Sequence, residues 1–159
     1  MSPETLHALR NLPVFPTSAE LLIQVIGIEA AARLITAWPG QSFPVPSPAL
    51  VRGVLRVGGP QHARLRDVVG SVAAEKIIRH WRGSDLYIPS CKEAIAARAR
   101  DHYRARFDEL TGRGYSYTHA VFEIGIQFGV TGKTIEKALK EADTLPPDPL
   151  PFRQGDFFR

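Results

Sequence analysis

The chain has 159 residues, and its twenty Lys and Arg against sixteen Asp and Glu give a formal charge of +4 and a pI near 9.5. With 44% apolar and 23% charged residues it has an ordinary globular composition, which excludes disordered, collagen-like and coiled-coil chains; the length suits one domain or two small ones. Cys91 is the single cysteine, which excludes a disulfide framework or a cysteine-rich zinc site and points to a reducing cytoplasm.

The start, MSPETLHALRNLPVFP, lacks the basic region and long apolar run of a signal peptide; Ser2 and Pro3 suit the beginning of a helix, and residues 1–18 read as an N-terminal arm. The most apolar stretch, LLIQVIGIEAAARLITAW, carries Gln24, Glu29 and Arg33 near its middle. A membrane span would have to bury all three, so no membrane association is expected.

A shift of forty-three positions lays LIQVIGIEAAARLITAWPGQSFPVPS, Leu22 to Ser47, over LRDVVGSVAAEKIIRHWRGSDLYIPS, Leu65 to Ser90. Ten of the twenty-six pairs are identical without a gap, among them Gly27 with Gly70, Trp38 with Trp81, Gly40 with Gly83 and Pro46 with Pro89. The chain therefore contains an internal duplication, with a first copy placed over residues 19–63 and a second over 64–90. In each copy a short apolar helix runs to a Gly, and a second helix with one apolar face is stopped by another Gly. In the second copy Val72, Ile77, Ile78 and Trp81 are expected on that face, with Glu75, Lys76, Arg79 and Arg82 pointing elsewhere. Both tryptophans read as core residues.

Each copy ends in a short extended run, SFPVP or SDLYIP. Pro44 removes one ladder donor and limits the first run to a partial strand, and the obvious partner for each strand is the other. The pairing residues expected are Phe43 and Val45 against Asp85, Leu86, Tyr87 and Ile88.

From Lys92, KEAIAARARDHYRARFDEL predicts a helix with Ile95, Ala99, Tyr103, Phe107 and Leu110 on one stripe and Arg98, Arg100, Arg104 and Arg106 largely off it. That cationic face suits phosphate contact as well as it suits plain solvation. TGRGYS breaks the helix, and Ser116 caps the next one, YTHAVFEIGIQF.

That helix and its successor have the residue pattern of a helix-turn-helix within residues 91–142. Two helices crossing steeply need a small residue at the crossing, a glycine at the turn and apolar inner faces. Ile124 and Phe128 are expected on the inner face of the first helix, with Gly125 at the close approach, Gly129 at the turn, and Val130, Ile135 and Ala138 completing the core. The alternative is an ordinary helical hairpin. In the DNA-reading case the second helix, Thr131 to Ala142, enters the major groove and presents Thr131, Lys133, Thr134, Lys137 and Lys140, with Glu136 among them. Gly132 lets the backbone approach a phosphate, and Arg104 and Arg106 add backbone contacts.

These residues together resemble the Mor family of phage transcription activators. The resemblance covers Val68 to Leu139 and rests on VGSVAAEKIIRHWRG, SDLYIP, RARDHYRARF and EIGIQFGVTGKTIEKAL. It implies an N-terminal dimerisation region of helices and a strand and a C-terminal helix-turn-helix; together with the repeat, the expected fold is mainly α with short β-strands, a duplicated helix-helix-strand unit followed by a C-terminal helix-turn-helix. It also implies binding to double-stranded promoter DNA through Lys133, Thr134 and Lys137, action with host RNA polymerase in the cytoplasm of a bacterial host, and dimerisation through the strand at Asp85 to Ile88. The extra copy departs from the family pattern. The first copy is able to take a partner's place, so the expectation is either a homodimer or an internal pseudo-dimer with one DNA-reading head.

No enzymatic pattern competes. GVTGKT lacks the phosphate-loop glycine, because Gln127 stands five residues before Gly132. His7, His62, His80, His102 and His119 have no metal-ligand spacing, Cys91 has no activating motif, and no GxSxG elbow is present; neither catalytic residues nor a metal nor a cofactor is expected. The rival reading is a protein-interaction module derived from such a regulator that no longer binds DNA. The remainder, 143–159, is a Pro-rich tail containing Phe157 and Phe158, which are suited to docking on a partner or on the protein itself.

Overall fold

The computed structural model describes residues 1–144 apart from 49, 53, 56 and 57. Among these the chain is mainly helical, with eight helices and short antiparallel strands. It divides into two compact units, Met1–Ala97 and Arg98–Arg159, the division falling inside one long helix. Most of the tail, residues 145–159, lies outside the described residues.

In the first unit, α1 (Pro3–Arg10) starts at Ser2, whose Oγ accepts the Thr5 N–H at 3.1 Å, and buries Leu6 and Leu9. Arg10 clamps Glu20 with two hydrogen bonds, one of 2.6 Å from Nε, and holds that carboxyl below its ordinary pKa.

The next helices repeat at the spacing of the sequence duplication. α2 (Thr17–Ile26), α3 (Ile28–Ala37) and β1 (Ser42–Pro44) correspond to α4 (Pro60–Val69), α5 (Ser71–Trp81) and β4 (Asp85–Tyr87). Between them β2 (Leu50–Val51) and β3 (Val54–Leu55) form a small antiparallel hairpin.

A glycine breaks each helix pair: Gly27 at φ 84°, ψ 160° and Gly70 at φ 86°, ψ 167°. Only glycine adopts that backbone region readily. Each glycine N–H closes the preceding helix, to Ile23 O and Arg66 O, while each glycine carbonyl opens the next by accepting from Ala31 and Ala74.

Packing crosses between the copies. α3 lies against α4 and α2 against α5, and both copies contribute to a single core that includes Leu22, Leu34 and Ile35 with Leu65, Ile77 and Ile78. Trp38 and Trp81 are half-buried against this core, Trp38 stacked on Phe43 at 5.2 Å.

β1 and β4 pair antiparallel with Phe43 opposite Leu86, Ser42 opposite Tyr87 and Pro44 opposite Asp85. Val45 N–H donates to Ser84 O at 3.1 Å and Ile88 N–H to Gln41 O at 2.8 Å, extending the ladder at both ends. Phe43, Val45, Leu86 and Ile88 are buried, whereas Asp85 and Tyr87 face outward, as strand alternation requires.

Two expectations for core residues fail in the first unit. Val72 is 70% exposed and lies on the rim of a cleft of about 500 Å³ that both copies line at equivalent positions, Gly27, Glu29 and Arg33 answering Gly70, Val72 and Lys76. Its equivalent Glu29 is charged, so the repeat itself marks the position as outward. Ile95 is 44% exposed because Cys91 and Ala94 supply the buried face at the start of the long helix. Burial pushes the Cys91 thiol pKa up. No helix among the described residues is long and apolar enough to cross a membrane.

Candidate nucleic-acid interface

The second unit is built from α6 (Lys92–Gly112, from Arg98 onward), α7 (Tyr117–Phe128) and α8 (Gly132–Thr144). Its core joins Tyr103 and Leu110 of α6 to Ala120, Val121 and Ile124 of α7 and Ile135, Ala138 and Leu139 of α8. Ala99, Phe107, Tyr115 and Val130 pack around it.

α6 ends at Gly112, and Gly114 follows at φ 92°. Ser116 then caps α7, its Oγ accepting the His119 N–H at 3.3 Å. α7 stops at Gly129 in the left-handed conformation, φ 65° and ψ 34°, where a side chain is strained. Val130 N–H donates back to Gly125 O at 3.0 Å, and a Cβ built on Gly125 would stand 3.0 Å from the Val130 carbonyl oxygen. Glycine is thus favoured at 125 by close backbone approach and at 129 by conformation.

Phe128 departs from the expected inner face. It is 36% exposed and touches Tyr103 edge-on at 5.1 Å, while Ala120, Val121 and Ile124 do the burying on α7. The turn at Gly129 begins before Phe128 can rotate beneath α8.

The residues singled out for DNA contact separate into two groups. Along α8, Lys133, Lys137 and Lys140 are exposed, with Glu136 between them. Lys133 and Lys140 make no ion pair among the described residues, and Lys137 Nζ stands 3.9 Å from Glu141. The first turn of α8 contains no acidic residue, so its N-terminal end carries the helix's partial positive charge with Lys133 beside it. Gly132 is exposed at that end, and a Cβ there would meet only Val121 Cγ1 at an ordinary 3.5 Å.

Thr131 and Thr134 have a structural task that the sequence reading missed. Thr131 Oγ1 accepts the Thr134 N–H at 3.3 Å and lies 3.0 Å from the Thr134 hydroxyl, which makes it the cap of α8. The available signal was a threonine immediately before a helix, with a second hydroxyl three positions on.

Three of the four α6 arginines are held by carboxylates. Arg104 Nε lies 3.3 Å from Asp108, and Arg100 lies 3.4 Å from Glu141 of α8. Arg106 reaches Glu109 at 2.6 Å and donates from Nε to Gln127 of α7 at 2.9 Å. The Arg106 guanidinium holds the Glu109 carboxyl below its ordinary pKa. Arg106 is therefore an inter-helix strut as well as a surface cation. Among the described residues no group of His, Cys, Asp or Glu is arranged to hold a metal ion.

Neither a protein-family model, nor a curated protein, nor a solved structure matches this chain.

Proposed function

We propose that the chain is a sequence-specific DNA-binding transcription regulator of the Mor type, reading promoter DNA with α7 and α8 as a helix-turn-helix. The observation that carries this reading is the junction of the two helices. Gly129 supplies a left-handed turn, Gly125 lies against the Val130 carbonyl, and the helix beyond the turn directs Ile135 and Ala138 inward while presenting Lys133, Lys137 and Lys140 outward. The uncompensated positive end of α8, with Gly132 open to close approach, suits a phosphate. Lys133 and Lys137 are assigned to base edges or phosphate, and Lys140 to phosphate.

In this reading the paired copies of the first unit stand in for the two protomers of a dimer, so one chain carries one reading head and occupies a single half-site in the host cytoplasm, with RNA polymerase as protein partner. No catalytic step or cofactor belongs to it.

One observation favours the rival, a module that holds a protein partner without binding DNA: Arg100, Arg104 and Arg106 are all engaged by neighbouring side chains, which leaves α6 a smaller share of phosphate contacts. The two are separated by selecting bound sequences from random duplex DNA and titrating salt. DNA reading predicts an enriched motif and salt-sensitive binding; absence of binding at low salt favours the module.

A further inference from the structure

Glu136 is the single carboxylate between Gly132 and Leu139, the first two turns of α8. It is exposed, and neither a hydrogen bond nor an ion pair holds it among the described residues. Most carboxylates of the second unit have a structural partner: Asp108 has Arg104, Glu109 has Arg106, Glu123 has His119 and Glu141 has Arg100. Asp101 also lacks one, but it lies on α6, outside the helix-turn-helix. Lys140 stands four residues beyond Glu136 in the favourable Glu-to-Lys order, yet the two do not pair. The helix dipole gives Glu136 no task either, because the first turn of α8, where a carboxylate would stabilise the positive end, is free of acidic residues.

Helical rotation puts Glu136 on the same face as Lys133, one turn before it, and Lys140, one turn after. A duplex that meets these lysines therefore brings phosphates and base acceptors toward a negative charge. That charge opposes binding unless the sequence offers it a hydrogen-bond donor. In the major groove the donors are the amino groups of cytosine N4 and adenine N6, whereas guanine shows O6 and N7 and thymine O4, all acceptors. Adenine N6 stands beside the acceptor N7, which repels a carboxylate; cytosine N4 has no acceptor next to it on that edge.

We infer that Glu136 is a specificity residue, which reads the N4 amino group of a cytosine and rejects guanine and thymine at that position. The inference rests on the DNA reading above and names part of the sequence read. Lys133 precedes Glu136 by about 4.5 Å along the helix axis and is suited to O6 and N7 of the paired guanine, or of a guanine in the adjoining pair. Exclusion matters as much as attraction here, since lysines alone hold phosphates of any sequence and the carboxylate penalises every site without the donor.

The test selects bound sequences from random duplex DNA with the unaltered chain, Glu136→Gln and Glu136→Ala. The selected duplex is then titrated with the cytosine replaced by 2-pyrimidinone, which lacks the amino group. The unaltered chain should require cytosine at one position where both variants accept other bases, with the remaining positions unchanged. Loss of the amino group should weaken the unaltered chain about tenfold and Glu136→Ala less than about twofold. Both variants should melt with the unaltered chain and bind random duplex more tightly, because a charge facing the phosphates is gone. Identical motifs from all three proteins overturn the inference, whether or not overall affinity rises, and so does a 2-pyrimidinone duplex held as tightly as the original. Absence of any motif with the unaltered chain at low salt overturns the DNA reading and the inference with it, an outcome distinct from a motif that Glu136 does not shape.

Discussion

Phe43 and Leu86 face each other across the β1–β4 ladder and occupy the same position in the two copies of the repeat. An antiparallel pair has a local two-fold axis through opposed residues, so this register lets one copy be exchanged for the other with the pairing intact: Ser42 with Tyr87 becomes Pro44 with Asp85. The end bonds exchange too, Val45 to Ser84 answering Ile88 to Gln41. That is the geometry of an isologous dimer written within one chain.

The near-symmetry predicts an unusual tolerance. Exchanging the two side chains, Phe43→Leu with Leu86→Phe, gives up the stack on Trp38 but conserves volume and should cost less than about 1.5 kcal/mol, whereas Phe43→Ala, which gives up the stack and leaves a cavity, should cost about 3–5 kcal/mol. Urea unfolding of the two variants checks the difference.

The three glycines around the turn should respond differently to alanine. Gly125→Ala forces a Cβ against the Val130 carbonyl and should cost about 1–3 kcal/mol, and Gly129→Ala about 1 kcal/mol for its left-handed backbone. Gly132→Ala meets only an ordinary contact and should leave thermal stability unchanged or slightly raised, while weakening DNA binding by closing the phosphate approach. Melting temperatures together with DNA titrations separate the two kinds of glycine.

Among the cations, Lys133→Ala and Lys137→Ala should each weaken DNA binding, and wherever the lost contact is to phosphate the slope of log affinity against log salt should shrink by about 0.9. Arg106→Ala should act first on stability, because it removes the bond to Gln127 that joins α6 to α7. Salt titrations and melting curves run on the same variants test this division.

Acid should loosen both units. The pKa of Glu20 is lowered by Arg10 and that of Glu109 by Arg106. A depressed carboxyl contributes stability above its unfolded pKa, about 4.3 for Glu, and loses it as pH falls through the folded value. Melting temperature should therefore hold between pH 7 and 5 and decline below; Arg10→Met and Arg106→Met should flatten that decline.

The repeat made much of the first unit legible from sequence. Glycines at equivalent places forced equivalent breaks, and two short strands that each lacked a neighbour had each other. Three apolar residues lie off the face expected of them: Val72 holds the outward position that Glu29 holds in the other copy, Ile95 lies off the face that Cys91 and Ala94 bury, and Phe128 sits in a last turn beside the break. The cap at Thr131 was a local signal, a threonine before the helix with Thr134 three positions on, whereas the Arg106–Gln127 bond couples residues whose distance depends on the crossing of α6 and α7, which periodicity does not encode.

The central claim, that one chain contains both halves of a dimer and a single reading head, is tested most directly by native mass measurement of the protein alone and on its selected DNA. The account predicts the 17.6 kDa monomer at micromolar concentration and one chain per half-site duplex. A tight species of twice that mass, or two chains on every bound duplex, would contradict it.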